Sequence, residues 1–498
     1  MANYILTKSS FVRGVQCQKS LYLYKNYYKQ RDAVSYSQQA VFNRGTNVGV
    51  LARTLFLGGI DVTPESIFKY EESAKRTQQL IAEGKEIIYE AAFIFDDTLV
   101  AVDILVKENG AWSAYEVKSS LSISETYLMD AALQYYVING SGLMLDDFFI
   151  IHVNRDYIRH GAIDLKQLFT RVSVKKLAEK KHQYIQAQIL HSKDTLKKPE
   201  IPQNITIGEH CFAPYACDFM GTCWKHIPAN SVFDMGGMRK AMMFDLYRQG
   251  YVKMEEIPDE TDLPDVFRIQ IEAIKKNEVI INRKAVADFL KTLHYPLYFL
   301  DFESFMPAVP IYEGSHPYHH IPFQYSLHYK AAKDGELRHI EYLAEAGSDP
   351  RKIFAERLLK DTRLPGDIIV YNKDFEKKIM KDLAHDFPEF RDALRDRIAR
   401  IKDLAVPFAK KDYYSPLMRG SNSLKAILPA LVPDLKYEEL IIKDGNTASI
   451  VFESLQTESD LFKIIETRDQ LLAYCKMDTL AMVRIIEVLE SVKNDGNK

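Results

Sequence analysis

The spacing of apolar positions divides the first half of the chain into helical and strand-like stretches. Residues 9–56 repeat apolar side chains every three or four positions, which predicts helices with Ser9 or Ser10 as the N-cap. From residue 86, β-branched and aromatic runs separated by turn residues predict an antiparallel meander. A long apolar helix, another strand and a basic amphipathic helix over residues 165–192 follow. Together these elements predict a first domain at residues 1–228.

The pattern changes again in the second half. Residues 229–290 carry Met-rich and charged helical stretches, which we interpret as a helical connector. Beyond them, apolar strands such as YPLYFLDFES and GDIIVYNK alternate with amphipathic helices. That alternation is typical of an α/β domain. The predicted fold class is therefore α/β, with the second domain at residues 291–498.

Composition narrows the functional classes. Of the 498 residues, 47% are hydrophobic, so the chain can bury ordinary cores. The 65 basic and 68 acidic residues give a formal charge of −3, so any affinity for nucleic acid must come from local basic surface. The sequence contains no apolar run of membrane-spanning length, which predicts a cytoplasmic protein without a membrane partner. It also lacks a GxxxxGK[ST] phosphate loop, so unwinding of a duplex would need a partner.

Three polar residues mark the ends of two predicted strands in the first domain. Asp103 ends LVAVD, and Glu116 and Lys118 alternate on AYEVKSS, so the last two point to one face. Two carboxylates beside a lysine can bind Mg²⁺ or Mn²⁺ and stabilise charge on a phosphate. A solvated charge pattern on a hairpin is the commoner origin of an isolated ExK.

The surrounding residues favour a metal site over a solvated charge pattern. Glu90 on the preceding strand, Gln134 on the following helix and the helical run RGTNVGVLAR complete a pattern that resembles the PD-(D/E)XK nuclease superfamily. The likeness is to its RecB-like branch, which includes the CRISPR-associated iron-sulfur nucleases, and it covers residues 1–228. The resemblance implies a restriction-endonuclease-like fold. It also implies metal binding by Asp103, Glu116 and the carbonyl of Val117, with Lys118 as the catalytic lysine and Gln134 as the glutamine of the QxxxY helix.

Two positions depart from this family pattern. Ile138 stands where the tyrosine of QxxxY is expected, and Asn47 stands near the position of a helical metal-binding histidine. These departures motivate a second hypothesis, in which the first domain binds nucleic-acid ends without cleaving them.

Four cysteines form a second pattern. Cys211, Cys217 and Cys223 are separated by five residues each, and Cys17 stands alone near the N-terminus. Their arrangement resembles the iron-sulfur members of the same branch, and this resemblance implies a 4Fe-4S cluster that joins the two ends of the domain. A zinc site that includes His210 or His226, and plain buried thiols, are the alternatives.

The second domain carries three acidic motifs. Asp301 and Glu303 lie two residues apart on one predicted strand, and buried carboxylates at such positions need a partner or a metal. Asn372 and Glu376 follow in YNKDFEKK, and Tyr474 and Asp478 are four apart on the last predicted helix.

In order and spacing, these motifs resemble those of the DnaQ-like DEDDy exonucleases, which have an RNase H-like fold. The resemblance covers residues 295–490 and implies two divalent metals. Asp374 competes with Glu376 for the second motif, Asp403 is a further acid, and Ser423 and Lys425 match a stretch between the second and third motifs. The implied ligands are Asp301, Glu303, Glu376 and Asp478, with Tyr474 orienting the attacking water.

The two resemblances together predict a metal-dependent nuclease with two active sites. We expect DNA as substrate, preferably single-stranded or with free ends, while RNA stays open because no feature reads the 2′-hydroxyl. A helicase or a defence-system protein is a possible partner. The alternatives are an end-binding protein with only a C-terminal 3′-5′ exonuclease, an RNA exonuclease, and a metalloprotein that uses His316, His319 and His320.

Overall fold

The computed structural model of the protein describes residues 5–34, 36–66 and 69–494. The chain divides into two compact units that both mix helices with sheet, so the predicted α/β class is confirmed. Unit 1 comprises Met1–His226 and Pro307–Tyr318, and unit 2 comprises Ile227–Met306 and His319–Lys498. The predicted connector thus groups with unit 2.

A mixed sheet organises unit 1. In the described residues it has seven strands in the order β2-β3-β4-β5-β6-β7, with β1 paired to β4. The strands β3, β4 and β5 are antiparallel neighbours, as the meander predicted, and β6 is parallel to β5. The strands are β1 (Leu6–Thr7), β2 (Ile60–Asp61), β3 (Ile87–Phe95), β4 (Thr98–Glu108), β5 (Ala111–Lys118), β6 (Leu145–Val153) and β7 (Phe169–Ser173).

The helices of unit 1 cover this sheet. Helix α5 connects the parallel strands β5 and β6 and places fully buried Leu133 and Val137 in the core with Phe148. The helices are α1 (Lys8–Gln16), α2 (Gln18–Asn26), α3 (Tyr36–Arg53), α4 (Tyr70–Ala82), α5 (Glu125–Gly140), α6 (Leu165–Leu168), α7 (Lys175–Lys180), α8 (His182–Leu196) and α9 (Met220–Cys223).

Two local predictions in unit 1 were wrong. Helix α1 is capped by Thr7, whose hydroxyl accepts a hydrogen bond from the Ser10 amide, so the helix begins before Ser9. The predicted helix over 165–192 is interrupted by β7, because this β-branched stretch pairs with β6. The sequence did not indicate this five-residue strand, because the residues on both sides of it have helical periodicity.

Unit 2 contains a five-stranded sheet in the order β11-β10-β9-β12-β13, counted over its described residues. Strand β10 is antiparallel to β9 and β11, whereas β9, β12 and β13 are parallel. All residues of β9 are buried except half-buried Asp301, as expected for a central strand. The strands are β8 (Ile280–Ile281), β9 (Leu297–Phe305), β10 (Ile321–Lys330), β11 (Leu337–Leu343), β12 (Ile368–Val370), β13 (Ile401–Asp403) and β14 (Tyr413–Tyr414).

A long final helix, α19, packs against β9 and β10. This contact brings the third acidic motif to the central strand. No helix among the described residues is both long and apolar enough to cross a membrane. The helices of unit 2 are α10 (Lys240–Arg248), α11 (Asp265–Lys276), α12 (Arg283–Lys291), α13 (Arg351–Asp361), α14 (Asp374–Asp386), α15 (Arg391–Ala399), α16 (Val406–Ala409), α17 (Leu424–Leu431), α18 (Gly445–Leu455) and α19 (Leu461–Asn494).

Candidate functional sites

Carboxylates from three neighbouring strands line up in unit 1. The pairing of Ile104 with Tyr115 places Asp103 of β4 opposite Glu116 of β5, and Asp103 Oδ2 accepts a 2.6 Å hydrogen bond from the Val117 amide. On the other side of Asp103, Glu90 interrupts the pairing of β3 with β4 and has a positive φ of 55°. The sheet therefore gathers the predicted acids Asp103 and Glu116.

Two lysines and a glutamine hold Glu116. Lys8 Nζ and Lys118 Nζ each lie 2.7 Å from Glu116 Oε1, and Gln134 Nε2 donates to Oε2 at 2.9 Å. The same lysines contact Asp130 Oδ2, at 3.7 Å from Lys8 and 2.7 Å from Lys118. Glu116 is only 2% exposed, so this buried carboxylate is fully engaged.

The pKa values of Asp103 and Glu116 are shifted in opposite directions. Burial, and then the negative charge of Glu116, raise the pKa of Asp103 to about 8. Burial alone would raise the pKa of Glu116, but the charges of Lys118 and Lys8 outweigh it and hold that pKa below its usual value. At neutral pH, Glu116 is therefore the anion and Asp103 retains much of its proton.

Sequence reasoning found Glu116, Lys118 and Gln134 but missed Lys8 and Asp130. Asp130 lies four residues before Gln134 on α5, so the i, i+4 spacing could have revealed it. Lys8 is 108 residues from Glu116 and carries no such signal. Of the two departures from the family pattern, Ile138 is a fully buried core residue and Asn47 is exposed on α3.

The four predicted cysteines converge in unit 1. Cys17 lies at the junction of α1 and α2, where its sulfur accepts from the Ser20 amide at 3.4 Å, and Cys217 Sγ lies 3.5 Å from Ser20 Oγ. Cys211 and Cys217 both influence the thiols of Cys17 and Cys223 electrostatically, which places all four in one neighbourhood.

An ion-pair network locks this neighbourhood together. Arg13 on α1 pairs with both carboxylate oxygens of Asp218, and Arg31 pairs with Asp218 as well. The cysteine loop is thereby tied to the N-terminal helices independently of any metal.

The donor set and its spacing can be tested against the two candidate metal groups. A tetrahedral zinc ion with 2.3 Å bonds would hold its sulfurs about 3.8 Å apart. In the described residues, only Asp301, Glu303 and Asp478 offer three ligand atoms all within 4.8 Å of one another. No three of the four cysteine sulfurs meet that limit, and four thiolates are a donor set that both zinc and a 4Fe-4S cluster take.

In unit 2, three predicted acids meet. Asp301 and Glu303 project from β9 and Asp478 projects from α19, and one carboxylate oxygen of each lies within 4.8 Å of the others. Glu303 and Asp478 are buried and Asp301 is half-buried. His316, His319 and His320 form no comparable group in the described residues, and His320 Nδ1 instead lies 2.9 Å from Ser304 Oγ.

The second motif contributes Glu376 and not Asp374. Glu376 on α14 is 2% exposed, and its Oε2 has no hydrogen-bond partner among the described residues, whereas Asp374 is exposed. Asp301 is the strongest charge acting on Glu376, so this orphaned oxygen belongs to the acidic site. Asp403 has a different role, because it accepts hydrogen bonds from the backbone amides of Asn372, Lys373 and Ala405.

Two tyrosines and a lysine border the third acid. Tyr437 donates to Asp478 Oδ1 at 2.5 Å, and Lys425 Nζ lies 3.2 Å from the Tyr474 hydroxyl. Lys425 also lies over both rings, 5.6 Å from the Tyr437 centroid and 5.0 Å from that of Tyr474. Sequence reasoning missed Tyr437, because it lies in a short turn between helices where no periodicity singles it out.

Mutual repulsion is the main electrostatic feature of this site. Burial and the charge of Asp478 raise the pKa of Asp301, and burial with the charge of Asp301 raises that of Glu303. Burial raises the pKa of Asp478 to about 6, although the Tyr437 hydrogen bond opposes the change. Lys425 lowers all three pKa values. The three carboxyls are hard oxygen donors of the kind that Mg²⁺ or Mn²⁺ takes.

Residues 298–423 match the profile of a family described as a domain of unknown function (DUF2779). This match covers about a quarter of the chain. It includes Asp301, Glu303 and Glu376 but ends before Tyr437 and Asp478. No curated protein matches the chain significantly.

The substitution Tyr437→Phe should weaken metal binding in unit 2. The phenylalanine ring fills the same space, but Asp478 loses the hydroxyl that fixes its orientation. A hydrogen bond to a charged group contributes about 1.5–3 kcal/mol, so the half-saturating Mn²⁺ concentration should rise about tenfold or more. Titration followed by electron paramagnetic resonance measures this. The control is Tyr298→Phe, whose hydroxyl contacts only the Leu364 backbone. Equal Mn²⁺ affinity in both variants would contradict the assignment.

Proposed function

We propose that the chain is a divalent-metal-dependent nuclease that hydrolyses DNA, with its main active site in unit 2 and a second site in unit 1. The observation that carries the proposal is the acidic triad of Asp301, Glu303 and Asp478. Three carboxylates this close repel one another and are costly to bury unless cations neutralise them. Glu376 lies outside this group of three, but its unpartnered oxygen and the influence of Asp301 on it support it as a fourth ligand.

The fold of unit 2 supports this proposal. A mixed five-stranded sheet with acids on its central strand and a long helix packed beside them is the arrangement expected of an RNase H-like nuclease. Tyr474 and Asp478 occupy one face of α19, as the DEDDy resemblance implies. The 3′-to-5′ direction of cleavage comes from that resemblance, and single-stranded DNA is the substrate that we expect.

Each residue of unit 2 then has a role. Bound Mg²⁺ or Mn²⁺ ions lower the pKa of water and stabilise the leaving oxygen during in-line displacement at phosphorus. Asp301, Glu303, Glu376 and Asp478 would hold the ions, and Tyr437 keeps Asp478 in one orientation. Lys425 places a positive charge beside Tyr474, where it can contact a substrate phosphate.

The second site would use the strand acids of unit 1. Asp103 and Glu116 supply carboxylates, and Lys118 supplies the positive charge for the phosphate, as the PD-(D/E)XK resemblance implies. The cysteine set would carry a 4Fe-4S cluster with a structural role, since its thiols join the N-terminal helices to the loop at residues 211–223. Tyr215 of this loop is 54% exposed and lies close enough to Lys118 and Asp130 to feel their charges. The loop is thus next to the site it would support.

A second candidate function has its own observation. Glu116 already has two lysines and a glutamine as partners, so unit 1 is less in need of a metal than unit 2. This difference favours a protein in which unit 1 binds nucleic-acid ends without a metal and unit 2 alone cleaves them.

Separate substitutions in the two sites test the proposal. We expect Asp301→Ala and Glu116→Ala each to remove a different product pattern from 5′-labelled and 3′-labelled single-stranded DNA in Mn²⁺. The matched controls are Asp374→Ala and Glu108→Ala, which remove exposed acids on the same elements, α14 and β4, that carry Glu376 and Asp103. Cleavage unchanged in both active-site variants would refute a nuclease, and loss through Asp301→Ala alone would favour the end-binding alternative. RNA of the same sequence measures the sugar preference.

A further inference from the structure

The two candidate sites differ in how their negative charge is balanced. In unit 1, Glu90, Asp103, Glu116 and Asp130 are accompanied by Arg53, Lys8 and Lys118. In unit 2, Lys425 is the cation that acts on Asp301, Glu303 and Asp478. The acids of unit 1 therefore have three cations in contact with them, of which Arg53 also pairs with Asp61, whereas Lys425 serves the triad of unit 2.

Lys8 is the residue that completes this balance. Its Nζ lies 2.7 Å from Glu116 Oε1 and 3.7 Å from Asp130 Oδ2, so it shares both acids with Lys118. A cation in this position competes directly with a metal ion for Glu116, because both need the same oxygen.

Lys8 is the more exposed of the two lysines. Its side chain is 30% exposed, compared with 17% for Lys118, and it begins α1. Lys118 is held from within β5 and lies 5.2 Å from the centre of the Tyr127 ring. Of the two cations on Glu116, Lys8 is therefore the one that solvent, and a ligand from solvent, reaches more readily.

We propose that Lys8 is a phosphate-binding residue that makes metal binding by unit 1 depend on the nucleic acid. Without substrate, Lys8 neutralises Glu116 and keeps divalent cations out. A phosphodiester at the mouth of the site offers Lys8 another anion, and its departure leaves Glu116 free to bind the metal. This inference rests on the proposed nuclease function of unit 1.

The two binding events are then coupled, and coupling energies of this kind are typically 1–3 kcal/mol. A phosphorothioate oligothymidylate should thus raise the affinity of unit 1 for Mn²⁺ about tenfold, and Mn²⁺ should raise the affinity for the oligonucleotide equally. If Lys8 did not compete with the metal, unit 1 would bind Mn²⁺ with the same affinity with and without the oligonucleotide.

The test uses the full chain with Asp301→Ala, Glu303→Ala and Asp478→Ala, which removes all three acids of the unit 2 triad, and follows Mn²⁺ binding by electron paramagnetic resonance. Lys8→Met should bind Mn²⁺ tightly without oligonucleotide and show no further gain when it is added. Lys8→Arg keeps the charge and should retain coupling. The control Lys25→Met removes a lysine that donates to the Ile5 carbonyl, and it should behave as the parent does.

The outcomes separate this inference from the function on which it rests. Equal Mn²⁺ affinity with and without oligonucleotide in the parent, or unchanged coupling in Lys8→Met, overturns the role of Lys8 even if Glu116→Ala abolishes a cleavage pattern. Absence of Mn²⁺ binding to unit 1 under every condition overturns the inference and the unit 1 nuclease together. Circular dichroism of Lys8→Met checks that the variant is folded.

Discussion

Replacing Asp301 by asparagine is expected to abolish cleavage by unit 2 and, at the same time, to stabilise the metal-free protein. The variant loses a central metal ligand, and a loss of several kcal/mol in charge stabilisation corresponds to about 10³-fold or more in rate. It also removes one of three mutually repelling carboxylates within 4.8 Å. Relief of that repulsion should raise the free energy of unfolding in EDTA by on the order of 1–3 kcal/mol.

The gain in stability should depend on pH. The folded protein holds protons on Asp301, Glu303 and Asp478 at higher pH than the unfolded chain does, since all three pKa values are raised. The metal-free parent should therefore lose stability as pH rises from about 4 through 6, the range between the ordinary and the raised pKa of Asp478. Asp301→Asn should flatten this dependence.

Denaturant unfolding in EDTA and in Mn²⁺ measures both effects. The parent should gain stability from Mn²⁺, and Asp301→Asn should not. Asp374→Asn is the control, because this exposed acid lies near Glu376 but outside the triad. A variant less stable than the parent in EDTA would show that the triad is held by interactions other than a metal.

The substitution Cys17→Ser is expected to remove the iron-sulfur absorption band and to destabilise unit 1. Cys17 is the one proposed ligand outside the loop that contains Cys211, Cys217 and Cys223, so its loss removes the metal-mediated link between that loop and α1 and α2 and leaves the Arg13–Asp218 pair. Metal sites of this structural kind contribute directly to folding free energy, and we expect a loss of at least about 3 kcal/mol.

Anaerobic purification, iron analysis and limited proteolysis measure this outcome. Unit 1 should become sensitive to protease, while cleavage by unit 2 should persist. The matched control is Cys475→Ser, since Cys475 lies on α19 in unit 2, and its absorption band should equal that of the parent. A colourless parent that contains zinc would contradict the cluster, and a parent without any metal would leave the Arg13–Asp218 and Arg31–Asp218 pairs as the connection.

Several features were predictable because they depend on residues near one another in the sequence. Alternating apolar runs predicted β3, β4 and β5, and the DxE spacing predicted that Asp301 and Glu303 share a face of β9. The prediction of one helix over residues 165–192 was wrong because it also relied on local periodicity. The short strand β7 changes that periodicity over too few residues to be recognised.

The candidate ligands were proposed from the sequence, because two acids on a buried strand need a partner and because the remaining assignments follow from the two family resemblances. The choice between Asp374 and Glu376, the hydrogen bond from Tyr437 to Asp478, and the pairing of Lys8 with Glu116 came from the folded chain. These relations join residues that are distant in sequence, or depend on which side of a helix is buried. The balance of acids and cations in each site is also decided by the fold. The sequence shows which residues are charged, but only the packing sets the distances between them. That is why two acidic motifs of similar appearance form one site whose triad is served by Lys425 and one whose acids contact three cations.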